Sequence, residues 1–336
     1  MNDKGMLTDE EINDILDQYS DWLTYDNIVG IDVEEMIDEK TGEKRLELLV
    51  DALEVESFEE VLEEKAFRGE KEKTLEIPQT VEIPLYDAEE PVEPVWKEIY
   101  TRIRVVDEIV EDELVEKEVT TGQDDAEENG IEEAQAKKRP CPGGYMIRTH
   151  GLGGKGSVGT SINYRGKYRL LSNNHVLTKN GNVGKWVYQP TEVMKENRLV
   201  KVTGFDSIIY YSTNNPGNPT YHDKDVAWCD SSTDISSQEV RGIGKIKGRR
   251  SPRKGETIYV YGGKSEKKYS AKVVSTTYRY RSKGTLGYSF WRNGLKLDRL
   301  VTQPGDSGSA YVASSDSKLV GLHRSGNRKH STGGRL

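Results

Sequence analysis

The stretch LVTQPGDSGSAYV, Leu300 to Val312, decides how this chain is read. Ser307 stands between Gly305-Asp306 and Gly308, in a run almost free of side-chain bulk, directly before an apolar segment of strand character. Pro, Gly, Asp and Ser all favour turns, so a plain polar turn between strands is one account of the composition. Catalysis is another. When a carbonyl is attacked, charge builds on its oxygen, and backbone N–H groups converge on that oxygen only where no side chain intrudes. The N–H groups of Gly305 and Ser307 are the candidate donors, with Gly305 free to adopt a conformation other residues resist.

A serine becomes a useful nucleophile when a neighbouring base takes its proton and a third group orients that base. Among five histidines, His175 stands out because YRLLSNNHVLT places it at the end of an apolar strand, where a turn presents it. Asp225 is the best carboxylate: HDKDVAWCD sets it directly before Val226-Ala227-Trp228, a strand able to anchor its backbone beside an imidazole. The order along the chain is His, Asp, Ser.

At 336 residues there is room for two or three compact units without a disulfide or metal staple. No apolar run of about 18 residues is present, and the acidic start MNDKGMLTDEEIND lacks the basic end and apolar stretch of a secretory signal. The expectation is a cytoplasmic protein with no membrane contact. Cys141 and Cys229 lie far apart with no CxxC pair, and His150, His222 and His330 lack ligand spacing, so neither a metal nor a cofactor is expected. Net charge of −9 hides a division: residues 1–138 carry 44 acidic and 14 basic side chains, against 13 acidic and 34 basic in residues 139–336. The halves are −30 and +21. Such asymmetry implies attraction within the chain or separate charged partners.

LTDEEINDILDQYSDWL opens with Thr8 and Glu11 in capping-box spacing and continues as an amphipathic helix. NIVGIDVEEMIDEKTGEKRLELLVDAL reads as two strands joined by a turn at Lys40 to Lys44, Ser57 and Glu60 again have capping spacing, and LEIPQTVEIPLYD reads as an edge strand because of its prolines. Residues 1–104 are thus a small acidic α+β domain. Residues 105–138 read as a solvated acidic linker. Beyond Arg139 short apolar runs recur about every ten residues, the pattern of an all-β barrel or sandwich.

LLSNNHVL, DVAW and PGDSGS together resemble the three signature blocks of the trypsin-like (chymotrypsin-fold) serine peptidases, over about Arg139 to Gly326. RPCPGG and VGLHRSG are similar to segments of the cytoplasmic microbial branch, and DNIVGIDVEE with TGEKRLELLVD is similar to its appended N-terminal domain. The resemblance implies a mainly β fold, two six-stranded antiparallel barrels at about 141–235 and 240–330, preceded by the α+β domain. It implies a serine endopeptidase with catalytic His175, Asp225 and Ser307. It also places Val301, Thr302 and the strand with His323 and Arg324 around the pocket for the residue before the scissile bond. Thr302 and His323 resemble the pocket of the glutamyl endopeptidases, which takes an acidic side chain; Arg324 departs from that pattern.

The expected partner is a protein or peptide substrate, with the acidic N-terminal part as a regulatory or substrate-presenting segment against the basic peptidase part. Three segments mimic other motifs. GLGGKG at Gly151 to Gly156 fits GxGxxG but precedes strands, and GGKS at Gly262 to Ser265 lacks the earlier glycine of a phosphate loop. GRRSPRKG near several tyrosines is readable as a nucleic-acid face, but a solvated basic barrel face is the expectation. The alternative function is a catalytically idle peptidase fold that binds peptide or nucleic acid. Cleavage near Arg139 would leave Pro140 at the new terminus, a poor partner for Asp306, so that aspartate is expected to have another.

Overall fold

In the computed structural model the described residues are 7–25, 27–37, 44–53, 77–85, 95–106, 110–111, 114–115, 136–152, 154–212, 219–284 and 287–336. The described residues are mostly β, with a small N-terminal part made of a helix and strands. No helix among the described residues is long and apolar enough to cross a membrane. The Ser57–Glu60 capping site and the turn at 40–43 lie outside the described residues.

Two compact units divide the chain, and neither is continuous. The first takes Met1–Ile109, Tyr211–Tyr221 and Ser275–Gly294. It begins with the helix Asp9–Gln18, whose capping box closes as read from sequence: the Thr8 N–H donates to Glu11 at 2.6 Å and the Glu11 N–H to Thr8 Oγ1 at 3.2 Å. Ile15 and Leu16 turn inward onto Ile28, Ile31, Leu48, Val50 and Phe290. The strands Ile28–Ile37 and Lys44–Leu53 pair antiparallel, as the hairpin reading requires. Thr80–Leu85 pairs with Val95–Val106, and no second described strand pairs with it, which places Pro84 on an edge that needs no donor from it.

The surprise in this unit is the contribution from 275–294, far along the sequence. Gly30 pairs with Tyr280 and Ile31 with Arg279. Tyr278 Oη donates to Asp51 at 2.6 Å, Ser275 Oγ to Asp32 at 3.0 Å, and the buried Arg279 guanidinium meets Asp17 at 2.6 Å. These ties are charge-assisted and mostly dry, hence stronger than surface pairs.

The second unit takes Val110–Tyr210, His222–Val274 and Leu295–Leu336. It holds two separate apolar cores. One gathers Cys141, Ile147, Val158, Leu170, Val176, Leu177, Val187, Leu199, Ala227 and Cys229; the other gathers Ile258, Val260, Val273, Leu295, Leu297, Tyr311 and Val320. A third cluster, with Leu171, Val226, Val240, Ala310, Val312 and Leu322, draws on strands from both. Part of the stretch read as a solvated linker is also structured: Val110–Glu111 pairs antiparallel with Ser325–Gly326, and Leu114–Val115 with Gly154–Lys155.

Candidate active site

His175 and Asp225 meet because of strand register. Lys167–Ser172 pairs antiparallel with Ala227–Ser231, and the ladder ends at Ser172 opposite Ala227. His175 lies three residues beyond one end and Asp225 two residues before the other, so both emerge at the same edge. A short helical turn, Asn174–Leu177, carries the imidazole and is anchored by buried Val176 and Leu177. Asn173 Nδ2 ties the Asp225 carbonyl at 2.8 Å. The contact itself has two parts: His175 Nδ1 lies 2.5 Å from Asp225 Oδ2, and the His175 backbone N–H donates to Oδ1 at 3.1 Å. Nδ1 therefore carries the proton, and Nε2 is left as the basic nitrogen.

A further cation stands behind the carboxylate. Arg324 Nε is 3.2 Å from Asp225 Oδ2, with both side chains wholly buried. Arg324, expected from sequence at the pocket, thus turns its guanidinium onto the aspartate. Burial alone would push the Asp225 carboxyl up, but His175 and then Arg324 outweigh it and hold the group below the ordinary carboxylate range. Nearby His222, which accepts the Tyr210 N–H at 2.9 Å, is pushed down by burial and stays neutral.

Ser307 reaches this group through the backbone of the same arginine: its Oγ donates to the Arg324 carbonyl at 3.0 Å. The glycines around it are mechanical necessities. Gly305 and Gly308 have φ of +100° and +93°. A Cβ on Gly308 would lie 2.1 Å from Ser172 Oγ and 2.4 Å from the Ser157 carbonyl. Only glycine fits where the serine turn presses on those two residues. Among the described residues, neither the Gly305 nor the Ser307 N–H has an acceptor.

Two supports of the turn were not found from sequence. Ser157 donates its backbone N–H to the Ser307 carbonyl at 2.7 Å and its Oγ to the Gly305 carbonyl at 3.0 Å, while accepting the Gly263 N–H at 3.0 Å. Asp306, fully buried, accepts the N–H groups of Lys264, Ser265 and Gln303 at 2.8, 3.0 and 3.1 Å. The GGKS segment set aside as a phosphate loop is thus an anion-holding turn for the protein's own aspartate. Only its run of small residues signalled this.

The expected pocket residues divide. Thr302 Oγ1 and the Val301 N–H share Ser331 Oγ at 2.9 and 3.1 Å. His323 Nδ1 is 2.7 Å from Tyr311 Oη, which donates to the Thr332 carbonyl at 3.1 Å. With the phenol proton so engaged, the imidazole Nδ1–H is the donor in that pair.

A family model described as Trypsin matches residues 128–335. No curated protein matches the chain. Among solved structures, Thermobifida fusca protease A is 14% identical, covers 58% of this chain and 90% of its own, and aligns with a TM-score of 0.41. A glutamic acid-specific serine protease described as using a histidine triad in substrate binding is 16% identical, with 57% and 92% covered and a TM-score of 0.39. Cellulomonas bogoriensis chymotrypsin is also 16% identical, with 57% and 88% covered and a TM-score of 0.39. With more than half its length matched by that family model, the chain belongs to the trypsin family.

Proposed function

We propose that the chain is a serine endopeptidase acting through an acyl-enzyme on Ser307. The observation that carries this is the doubly bonded His175–Asp225 contact at 2.5 and 3.1 Å, which fixes the tautomer a general base needs. Ser307 Oγ turns from the Arg324 carbonyl toward His175 Nε2, gives up its proton there and attacks the substrate carbonyl. Asp225, kept ionised by His175 and then Arg324, stabilises the imidazolium. The Gly305 and Ser307 N–H groups receive the oxyanion. His175 then protonates the departing amine, and water hydrolyses the ester by the same route in reverse.

For the residue before the scissile bond the proposal is an acidic side chain. His323, held by Tyr311 through Nδ1, and Thr302, held by Ser331, are with Val301 the pocket residues in this reading. The +21 charge of residues 139–336 attracts anionic substrate in the same sense. The N-terminal acidic part, −30 overall, is in this reading a regulatory element. Fluorophosphonate labelling, lost in Ser307→Ala with an unchanged circular dichroism spectrum, tests the nucleophile. Mass spectrometry of a digested peptide library tests the pocket. Absence of labelling and of all turnover would leave the peptide-binding alternative.

A further inference from the structure

Side chains alternate across a strand, so a sheet that sends one set into a core sends the other set away from it. Leu170, Ala227 and Cys229 belong to the first core of the second unit. Their neighbours Leu171, Val226 and Trp228 point the other way, and instead of a polar outer face they form an apolar one with Ile162 and Leu336. Ala310, Val312 and Leu322 cover part of it. Over the rest, Ile162, Leu171, Val226 and Leu336 line a cavity of about 240 Å³ to which neither His175 nor Ser307 contributes.

The remaining lining is aromatic and charged. Strand register sets Arg169 opposite Asp230 and Leu171 opposite Trp228. The Arg169 guanidinium lies over the Trp228 ring at 4.8 Å and the Tyr164 ring at 5.0 Å, and Arg249 lies over the same tyrosine at 5.3 Å. A guanidinium held over a ring keeps its N–H fork for an anion. Arg169 Nε already meets Asp230 at 3.2 Å, and Lys224 Nζ meets Asp206 at 3.7 Å. Arg249 meets no carboxylate among the described residues. One positive charge is thus left over beside an apolar cavity. The 240 Å³ exceeds the roughly 150 Å³ that holds benzene, which leaves room for a short arm on a ring.

We infer that this cavity binds a small monocarboxylate with an apolar body, an aryl or branched alkyl group on a short arm. The body lies against Leu171, Val226 and Trp228, and the carboxylate takes the Arg249 fork as a bidentate pair. A single carboxylate matches the one uncompensated cation, whereas a phosphate would exceed it. Two sources present this chemistry: a free organic acid, and the C-terminal residue of a peptide where that residue is apolar. The site is distinct from the peptidase chemistry and does not depend on it.

The test uses the full chain, isotope-labelled at the indole nitrogens of its five tryptophans. Loss of one signal in Trp228→Phe identifies Trp228. The titrants are phenylbutyrate, N-acetylphenylalanine and the uncharged phenylbutyramide. One acid or both should shift the Trp228 signal to saturation and leave the others in place; phenylbutyrate alone marks a free acid as the occupant, N-acetylphenylalanine alone a peptide end. The amide should bind roughly tenfold more weakly than phenylbutyrate, and Arg249→Met should weaken the acid by the same factor, one charge-assisted pair being lost in each case. Arg249 is exposed, so its replacement spares the fold. Ile162→Trp, which fills the cavity, should abolish the shift with unchanged circular dichroism. No saturation by about 10 mM of either acid, an amide that binds as well as the acid, or a shift that survives both Arg249→Met and Ile162→Trp overturns the inference.

Discussion

Replacing Arg324 with methionine keeps an unbranched side chain and removes the guanidinium charge from beside Asp225. Both side chains are wholly buried, so no water replaces the lost partner. Removing one member of a buried pair costs roughly 3–5 kcal/mol. Asp225 keeps two bonds from His175, at 2.5 and 3.1 Å, which favours the lower end. A loss of about 3 kcal/mol raises the unfolded fraction roughly 150-fold and lowers Tm by about 6–12 °C for a unit of this size. The pH dependence has a definite sign. Asp225 is held below its ordinary value in the native protein, so its contribution is present above about pH 4, the unfolded value, and is lost as pH falls through the native one. The gap between wild type and Arg324→Met should accordingly be widest at neutral pH and shrink in acid. Thermal unfolding followed by near-ultraviolet circular dichroism from pH 3 to pH 7 measures it. A Tm change under about 2 °C at pH 7 would refute the claim that the guanidinium is needed where it lies.

Other consequences follow from the same contacts. Ser157→Ala leaves the Gly305 carbonyl and the Gly263 N–H without the partner each has at 3.0 Å; stability should fall by about 2 kcal/mol in urea titration, with kcat reduced more than KM is raised. Asp306→Ala strips three N–H groups of their acceptor at once and should cost on the order of 4 kcal/mol. Its kcat should drop about 100-fold as the oxyanion donors drift. Gly30→Ala would put a Cβ 2.1 Å from the buried Tyr278 hydroxyl and should destabilise the first unit by about 2 kcal/mol, read by hydrogen exchange of residues 28–37. Burial pushes the Cys141 thiol up to about 12 and the Cys229 thiol further, so neither should react with an aromatic disulfide reagent at pH 8 until the protein is unfolded.

The residues easiest to find in the sequence were those whose chemistry dictates their neighbours. Gly305 and Gly308 flank Ser307 because the turn tolerates nothing larger, and His175 and Asp225 sit at strand ends because only there can a side chain leave a ladder. The hairpin at 28–53 and the capped helix were equally plain, since both are local patterns. What escaped was non-local. Whether Arg324 faces a pocket or Asp225 depends on which side of Leu319–Gly326 it occupies, and a one-residue change in that strand's register would reverse it. Asp51 and Tyr278 are 227 residues apart, and no spacing rule links them. The role of Lys264 and Ser265 is carried by backbone N–H groups, which every residue but proline owns.

The interleaving of the first unit gives backbone scission an unusual outcome. Asp17, Asp32 and Asp51, from the stretch 1–109, grip Arg279, Ser275 and Tyr278, from the stretch 275–294. A single nick by an added protease between those two stretches would sever the covalent thread while both pieces stay clasped. They should elute as a single particle in gel filtration and separate into two bands only in detergent. By the same token, an engineered protein that lacks residues 1–109 would lack the clasp for 275–294, so its behaviour would report a missing scaffold and not a released enzyme.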